Sequence, residues 1–269
     1  MPFTRFSPTR PLFPFASAAL TGASGGIGAA MAVALARPGV TLFLAGRDGP
    51  RLEAVGDTCR AAGAEVRLAR FDVTDAEAAE RWVRDADAER PLDLLVANAG
   101  ISTGRRRDGS PESPADARRV VAVNLLGAMN VAFPALDAMA ARRSGHLLVV
   151  GSLAALRGLP HSPAYSAAKA GLLAWAEGVR ATMRPQGVTV SVALPGFVKS
   201  PMSDRVIGPK PFLADPGAAA RTLLKGTAMG RARIVFPWPL AMGLRIAALL
   251  PGRWGDAMLM RLPGYVEPQ

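Results

Sequence analysis

Ala16-Ser-Ala-Ala-Leu20, Thr21-Gly-Ala-Ser-Gly-Gly-Ile-Gly28 and the alanine-rich stretch Ala29 to Arg37 follow one another without a break. A short apolar run, a glycine turn and an apolar helical segment in that order read as strand, tight turn and helix. Glycines at 22, 26 and 28 permit a sharp turn, close backbone approach to a pyrophosphate and close helix packing, with the helix N-terminus facing the anion. The spacing is G-x-x-x-G-x-G rather than the generic G-x-G-x-x-G. Read alone, the stretch is also compatible with a simple flexible loop.

The segments that follow repeat the same alternation. Val40 to Ala45 is a second apolar strand, Arg51 to Ala62 a helix stopped by Gly63, and Glu65 to Phe71 a third strand. Leu92 to Ala97, His146 to Val150 and Val188 to Leu194 are the fourth, fifth and sixth, with helices predicted from about Asp75, over about Pro114 to Ala141, and through Tyr165. Strands alternating with helices predict one doubly wound α/β domain with right-handed crossovers. At 269 residues, half of them apolar, the chain fits one large domain better than two.

Candidate site residues cluster where such sheets bind ligands, at the carboxyl ends of strands: Gly22, Arg47, Asp72, Asn98, Ser152 and Pro195. After the second strand an acid would hold the adenosine ribose of NAD, but Gly46-Arg47 stands there. A guanidinium pairs with a 2′-phosphate, so Arg47 points to NADP, with Asp48 one residue late for the opposite choice. Asp72-Val73 ends the third strand, either to meet an adenine edge or to cap the next helix through Thr74. Asn124 interrupts the apolar run Val120 to Leu126, and an amide inside a helix is mildly unfavourable.

Tyr165-Ser-Ala-Ala-Lys169 sets a phenol and an amine four residues apart on one helix face. Only four of the 32 basic residues are lysines. A neighbouring ammonium favours the phenolate and so lowers the tyrosine pKa toward acid/base work near neutrality. An ordinary amphipathic helix with an exposed Tyr and Lys is the alternative reading of this spacing by itself.

Taken together, the TGASGGIG turn, Asn98-Ala-Gly100, Asn124, Ser152, Tyr165-x-x-x-Lys169 and Pro195-Gly196 closely resemble the short-chain dehydrogenase/reductase family over about residues 16 to 230. The resemblance implies a Rossmann fold, with a mostly parallel seven-stranded sheet and helices on both faces; the apolar end of this chain, outside the resemblance, is expected to add an extra C-terminal helical region. It implies hydride transfer between a nicotinamide and a carbonyl or secondary alcohol, with Tyr165 as general acid/base and Ser152 bonded to the substrate oxygen. Lys169 would bind the nicotinamide ribose and lower the tyrosine pKa, and Asn124 would support a proton-relay water. Dinucleotide contacts are implied for Gly22, Ser24, Gly26, Ile27, Gly28, Arg47, Asp72, Val73, Asn98, Ala99, Gly100, Tyr165, Lys169, Pro195, Gly196, Val198 and Ser200. Ser200 stands where family members often carry a Thr that contacts the carboxamide. The cofactor expected is NADP(H), with NAD(H) possible, and a homodimer or homotetramer is expected. A rival from another class is a catalytically silent nucleotide-binding regulatory or scaffold protein of the same fold; the intact Ser-Tyr-Lys set weighs against it.

Composition bounds the rest. The net charge is +11, but the arginines are scattered and few aromatics interleave with them, which argues against a nucleic-acid surface. Arg105-Arg-Arg107 lies in a Gly/Ser/Pro-rich loop, either as solubilising charge or to attract an anionic substrate or lipid head group. Cys59 is alone and His146 and His161 are isolated, so no metal site is expected, and a cytoplasmic location, possibly membrane-associated, is. Prolines 2, 8, 11 and 14 break residues 1–15, which read as a flexible lead-in rather than a signal peptide. The main domain is expected over 16–238 and an apolar helical extension over 239–269. Prolines and Arg245 exclude a clean membrane span there. That extension is open to three readings: a seventh strand with lid or oligomer-interface helices, an in-plane membrane contact helped by Arg231, Arg233, Arg245, Arg253 and Arg261, or a disordered tail.

Overall fold

Ser17–Thr21 (β1) and Thr41–Ala45 (β2) are buried at every position, as strands covered on both faces must be. The computed structural model describes residues 13–260 and 265–267. The remaining strands are Glu65–Ala69 (β3), Leu94–Ala97 (β4), Gly145–Val150 (β5), Val188–Pro195 (β6), Val206–Ile207 (β7), Arg233–Phe236 (β8) and Tyr265–Val266 (β9). The helices are Gly26–Leu35 (α1), Gly49–Ala61 (α2), Ala76–Glu89 (α3), Pro114–Val121 (α4), Gly127–Ala141 (α5), Pro163–Met183 (α6), Pro201–Asp204 (α7), Pro216–Ala228 (α8), Trp238–Leu249 (α9) and Gly252–Met260 (α10).

Seven strands form one parallel sheet in the order β3-β2-β1-β4-β5-β6-β8. Ala18 pairs with Leu42 on one side and Leu94 on the other, so the strand order reverses at β1 and leaves a crevice above it and β4. Alternate strand residues feed two cores. Ala19, Phe43, Leu95 and Leu147 meet α3, α5 and α6, while Leu20, Leu42, Leu94 and Val96 meet α1, α2 and α8. Each fully buried Leu contributes roughly 1.5–3 kcal/mol, so these two layers hold the strand ends in fixed positions.

Helix starts follow their capping chemistry. The carboxylates of Asp48, Asp75 and Asp215 accept from the backbone N–H groups of Arg51, Ala78 and Ala218 at 2.9–3.1 Å. Asp75 rather than Thr74 therefore caps α3. The helix predicted over Pro114 to Ala141 is continuous but carries one π turn, Ala122–Leu126, between α4 and α5. It is the one helix among the described residues long and apolar enough to cross a bilayer, and more than half of its most apolar window is buried inside the domain.

Two parts of the chain depart from the sequence reading. Phe13 and Phe15 are core residues at 1% exposure, and Arg37 donates to both their carbonyls at 2.9 Å, so the lead-in does not extend to residue 15. Residues 1–12 lie outside the described set. The second departure is a small antiparallel pair, in which β9 lies along β7 (Val206 opposite Val266). Backbone bonds from Val266 to the Arg105 carbonyl and from Glu267 to the Arg205 carbonyl, both 2.9 Å, extend it. The chain end is thus stitched to the loops that follow β4 and β6.

Candidate active site

Above the carboxyl ends of the strands lies a cavity of roughly 530 Å³. At one end of it is the turn after β1. Gly22 and Gly26 have φ of 64° and 54°, a region that favours glycine. A Cβ on Gly22 would lie 2.8 Å from the Asn98 amide and one on Gly28 2.3 Å from the Gly22 carbonyl oxygen. Gly22, Ser24, Gly26 and Ile27 line the cavity. Gly28 does not; it lets α1 cross tightly behind the turn. The first turn of α1 contains no acid and has no side-chain cap, leaving its N–H groups available to an anion.

Asn98 supports this turn as well as lining the cavity. Its Nδ2 donates to the Thr21 and Gly22 carbonyls at 3.0 and 3.2 Å, and Thr21 Oγ1 accepts from the Asn98 and Ala99 N–H groups. The amide expected to touch a ligand is therefore committed to backbone carbonyls.

Arg47 and Arg51 line the cavity beyond this turn, with Ser24 and Gly46 close by. Arg47 Nη1 lies 3.2 Å from Asp72 Oδ2. Partial burial alone would raise the Asp72 pKa, but the Thr74 N–H and hydroxyl, with Arg47, hold it below the ordinary carboxylate value. Both Asp72 oxygens already have partners, and Val73 beside it lines the cavity. Asp48, the residue that opposed an NADP reading, is spent on the cap of α2 and on Arg51 at 3.2 Å. Arg51 escaped the sequence reading because it lies inside a predicted helix; only its place one turn after the capping Asp48 could have marked it.

The reactive end is built by β5, α6 and the π turn. Ser152 follows β5, and its Oγ accepts from the Ala154 N–H at 3.1 Å and shares a hydrogen bond with the Tyr165 hydroxyl. Desolvation by the cavity walls pushes the Tyr165 phenol up, and the Ser152 bond pulls it partly back. Lys169, 4% exposed, donates to the Val150 carbonyl at 2.8 Å, and its Nζ lies 5.8 Å from the Tyr165 ring centroid. Burial brings its pKa down to about 8. The expected lowering of the tyrosine by the lysine is thus not what this geometry gives: desolvation dominates, and the ammonium is turned toward Val150.

Asn124 is fully buried in the π turn. Its Oδ1 accepts from the Ile101 N–H and its Nδ2 donates to the Ile101 carbonyl, both at 2.8 Å. A π turn swings one side chain out of helical register, and here that side chain clamps the Ile101 backbone in the loop that follows β4. Gly100 makes room, since a Cβ there would sit 2.8 Å from Asn124 Oδ1 and 3.7 Å from Lys169 Nζ. Ala99 and Gly100 line the cavity between these groups.

On the far wall are Pro195, Gly196, Val198 and Ser200. The Ser200 hydroxyl caps α7, accepting from Ser203 N–H at 3.2 Å while Ser203 Oγ accepts from Ser200 N–H, so a role toward a carboxamide competes with the cap. The outer part of the cavity is apolar. Phe197, Met202, Leu240, Leu244, Leu259 and Val266 line it, with Tyr265. Of these, the last five come from the C-terminal region, whose apolar excess was its only signal in the sequence.

The sequence profile described as short chain dehydrogenase matches residues 16–209. An uncharacterized oxidoreductase of Myxococcus xanthus is 41% identical over 249 residues, 92% of this chain and 98% of the relative. The ketoacyl reductase HetN of a Nostoc species is 33% identical over 211 residues, 77% of this chain and 73% of the relative. Among solved structures, a short-chain dehydrogenase from Sphingobium yanoikuyae in complex with NADPH superposes with a TM-score of 0.74 over 91% of this chain and 93% of that one, at 22% identity, and so shares the fold.

Proposed function

Because the chain belongs to the short-chain dehydrogenase family and is thereby a dehydrogenase/reductase acting on CH–OH and C=O groups, we propose that it uses NADP(H) to interconvert a lipophilic carbonyl and its secondary alcohol. The observation that carries this reading is the convergence of Ser152, Tyr165 and Lys169 on one cavity whose outer walls are apolar.

The residues present fit a dinucleotide. The glycine turn and uncapped start of α1 suit a pyrophosphate, Arg47 and Arg51 suit a 2′-phosphate, and the buried Lys169 suits a ribose hydroxyl pair. Gly26, Ile27, Ala99, Val198 and Ser200 form the walls between them. When bound, the nicotinamide supplies the hydride. Tyr165 holds the proton that goes to the substrate oxygen during reduction, and its raised pKa keeps it protonated at neutral pH. Ser152 and Tyr165 then stabilise the developing alkoxide, an effect commonly worth several kcal/mol. The charged form of Lys169, whose Nζ lies 5.8 Å from the Tyr165 ring centroid, lowers the cost of a transient phenolate through space, and the Asn124 clamp positions the loop after β4. In oxidation the same groups run in reverse.

The 16–238 body with its 239–269 extension works as one catalytic unit in this reading, in the cytoplasm as the single free thiol suggests. A homodimer or homotetramer belongs to it as well, with the exposed Leu126 and Phe133 as apolar surface on the long helix. Turnover of a panel of ketones and alcohols with both cofactors tests the proposal. Tyr165→Phe is expected to lose about 10²–10⁴-fold in turnover while NADPH affinity stays within a factor of about two, since it removes a proton and little volume. Near-wild-type turnover by that variant overturns the assignment.

A further inference from the structure

We propose that the outer face of α9 and α10 docks on an anionic lipid surface. Ala241, Leu244 and Ala247 of α9, with Gly255 and Leu259 of α10, face the domain. The side of a surface helix turned to water is ordinarily polar. Here it carries Trp238, Ile246, Leu249, Leu250 and Trp254, with Leu249 87% and Trp254 60% exposed. Scattered exposed apolar residues are ordinary, but a run of them across two consecutive helices marks a contact surface.

Charge selects the occupant. Among the charged residues of 238–260, Asp256 is engaged by Arg157 at 2.7 Å, and the others are the exposed Arg245 and Arg253. This face therefore offers two cations among apolar side chains, which suits phosphate head groups lying over acyl chains. A second copy seated on it would bring the same two cations and no unengaged acid from this stretch to meet them. Trp238 opens α9 and Trp254 lies in the first turn of α10, both exposed amphipathic rings of the kind that settle at the head-group boundary. At 12 residues α9 is too short to cross a bilayer, for which about 20 are needed, so the contact is in-plane.

The same two helices present Leu240, Leu244 and Leu259 to the catalytic cavity. Docking would accordingly set that cavity one helix layer from the acyl chains and give a lipophilic substrate a short path to it. This consequence rests on the proposed substrate class; the docking does not.

Co-sedimentation of the full chain with phosphatidylcholine vesicles, with and without phosphatidylglycerol and with no dinucleotide or substrate present, tests the docking by itself. Binding to the anionic vesicles, a blue shift in tryptophan emission and weakening by salt are expected. Ile246→Asp with Leu249→Asp is expected to weaken binding about tenfold or more, with unchanged melting temperature and unchanged turnover of a water-soluble ketone. Arg245→Gln with Arg253→Gln should remove the preference for phosphatidylglycerol. Absence of vesicle binding by the parent chain overturns the proposal. So does conversion of a larger assembly into a smaller one by the double aspartate variant without any change in lipid binding, which would give the face to a second copy. Failure to turn over long-chain ketones would count against the substrate reading and leave the vesicle result standing.

Discussion

Lys169 reports on its surroundings through pH. Its folded pKa of about 8 lies below the ordinary 10.5 because burial disfavours the ammonium. Below pH 8 the lysine is charged in both states and the folded state carries the full burial penalty. Between about pH 8 and 10.5 the unfolded chain binds more protons, so stability rises with pH, by on the order of 3 kcal/mol across the window. Tyr165 has the opposite slope, since its raised pKa keeps the folded phenol protonated after the unfolded one has ionised, and it lowers stability above about pH 10. Urea denaturation at pH 7 and 9.5 should therefore show a gain for the parent chain that Lys169→Met lacks; identical pH slopes would remove burial as the cause. Arg47 makes a second residue-scale prediction. Arg47→Ala should weaken NADPH binding about tenfold or more, as loss of a charge-assisted contact does, and leave NADH binding nearly unchanged. Equal losses for both cofactors would remove Arg47 from the 2′-phosphate. The sequence singled out both residues, and both line the cavity, but the direction of the Tyr165 shift was not legible, because desolvation is set by cavity walls contributed from distant elements.

At the scale of elements, the glycine turn is tied to its neighbours by contacts too close for a side chain. Gly28 lies within α1, where alanine is ordinarily favoured by about 1 kcal/mol, yet its Cβ would meet the Gly22 carbonyl oxygen at 2.3 Å. Gly28→Ala must push α1 away from β1 and, with it, the uncapped N–H groups proposed to meet a pyrophosphate. A loss of about 1–3 kcal/mol in stability and a weaker affinity for both NADH and NADPH are expected, measured by chemical denaturation and by nucleotide fluorescence titration. A variant as stable as the parent with unchanged affinity would show that the helix has room to move. The strand-turn-helix order was readable because apolar runs and glycines carry it locally. The π turn at Asn124 was not: its sequence trace was an amide in an apolar run, and only the Ile101 backbone lying opposite explains it. Likewise β7 and β9 are two residues each, too short for any periodicity, and their pairing joins segments about sixty positions apart.

Across the whole molecule, the two ends of the chain divide the work, and the division can be cut. The first three strands and their turns build the cavity end proposed for the dinucleotide, whereas Val266 and Glu267 tie the end proposed for the substrate by bonding to Arg105 and Arg205. Each bond belongs to a different flanking loop, so β9 fixes the distance between the loop after β4 and the segment after β6. Removing the residues that follow Met260 takes away this tie along with Tyr265 and Val266, but leaves the buried Ala241, Leu244, Ala247 and Leu259 in place to hold α9 and α10. The shortened chain should thus bind NADPH within a factor of about two of the parent, while its KM for a lipophilic ketone rises about tenfold, the equivalent of one apolar side chain's burial lost from the pocket. A titration with NADPH and a Michaelis series on the same preparation decide it, the first also reporting that the domain remains folded. Equal loss of both affinities would mean that the chain end supports the sheet as a whole, and an unchanged KM would mean that the small β7–β9 pair lies over the cavity without shaping it.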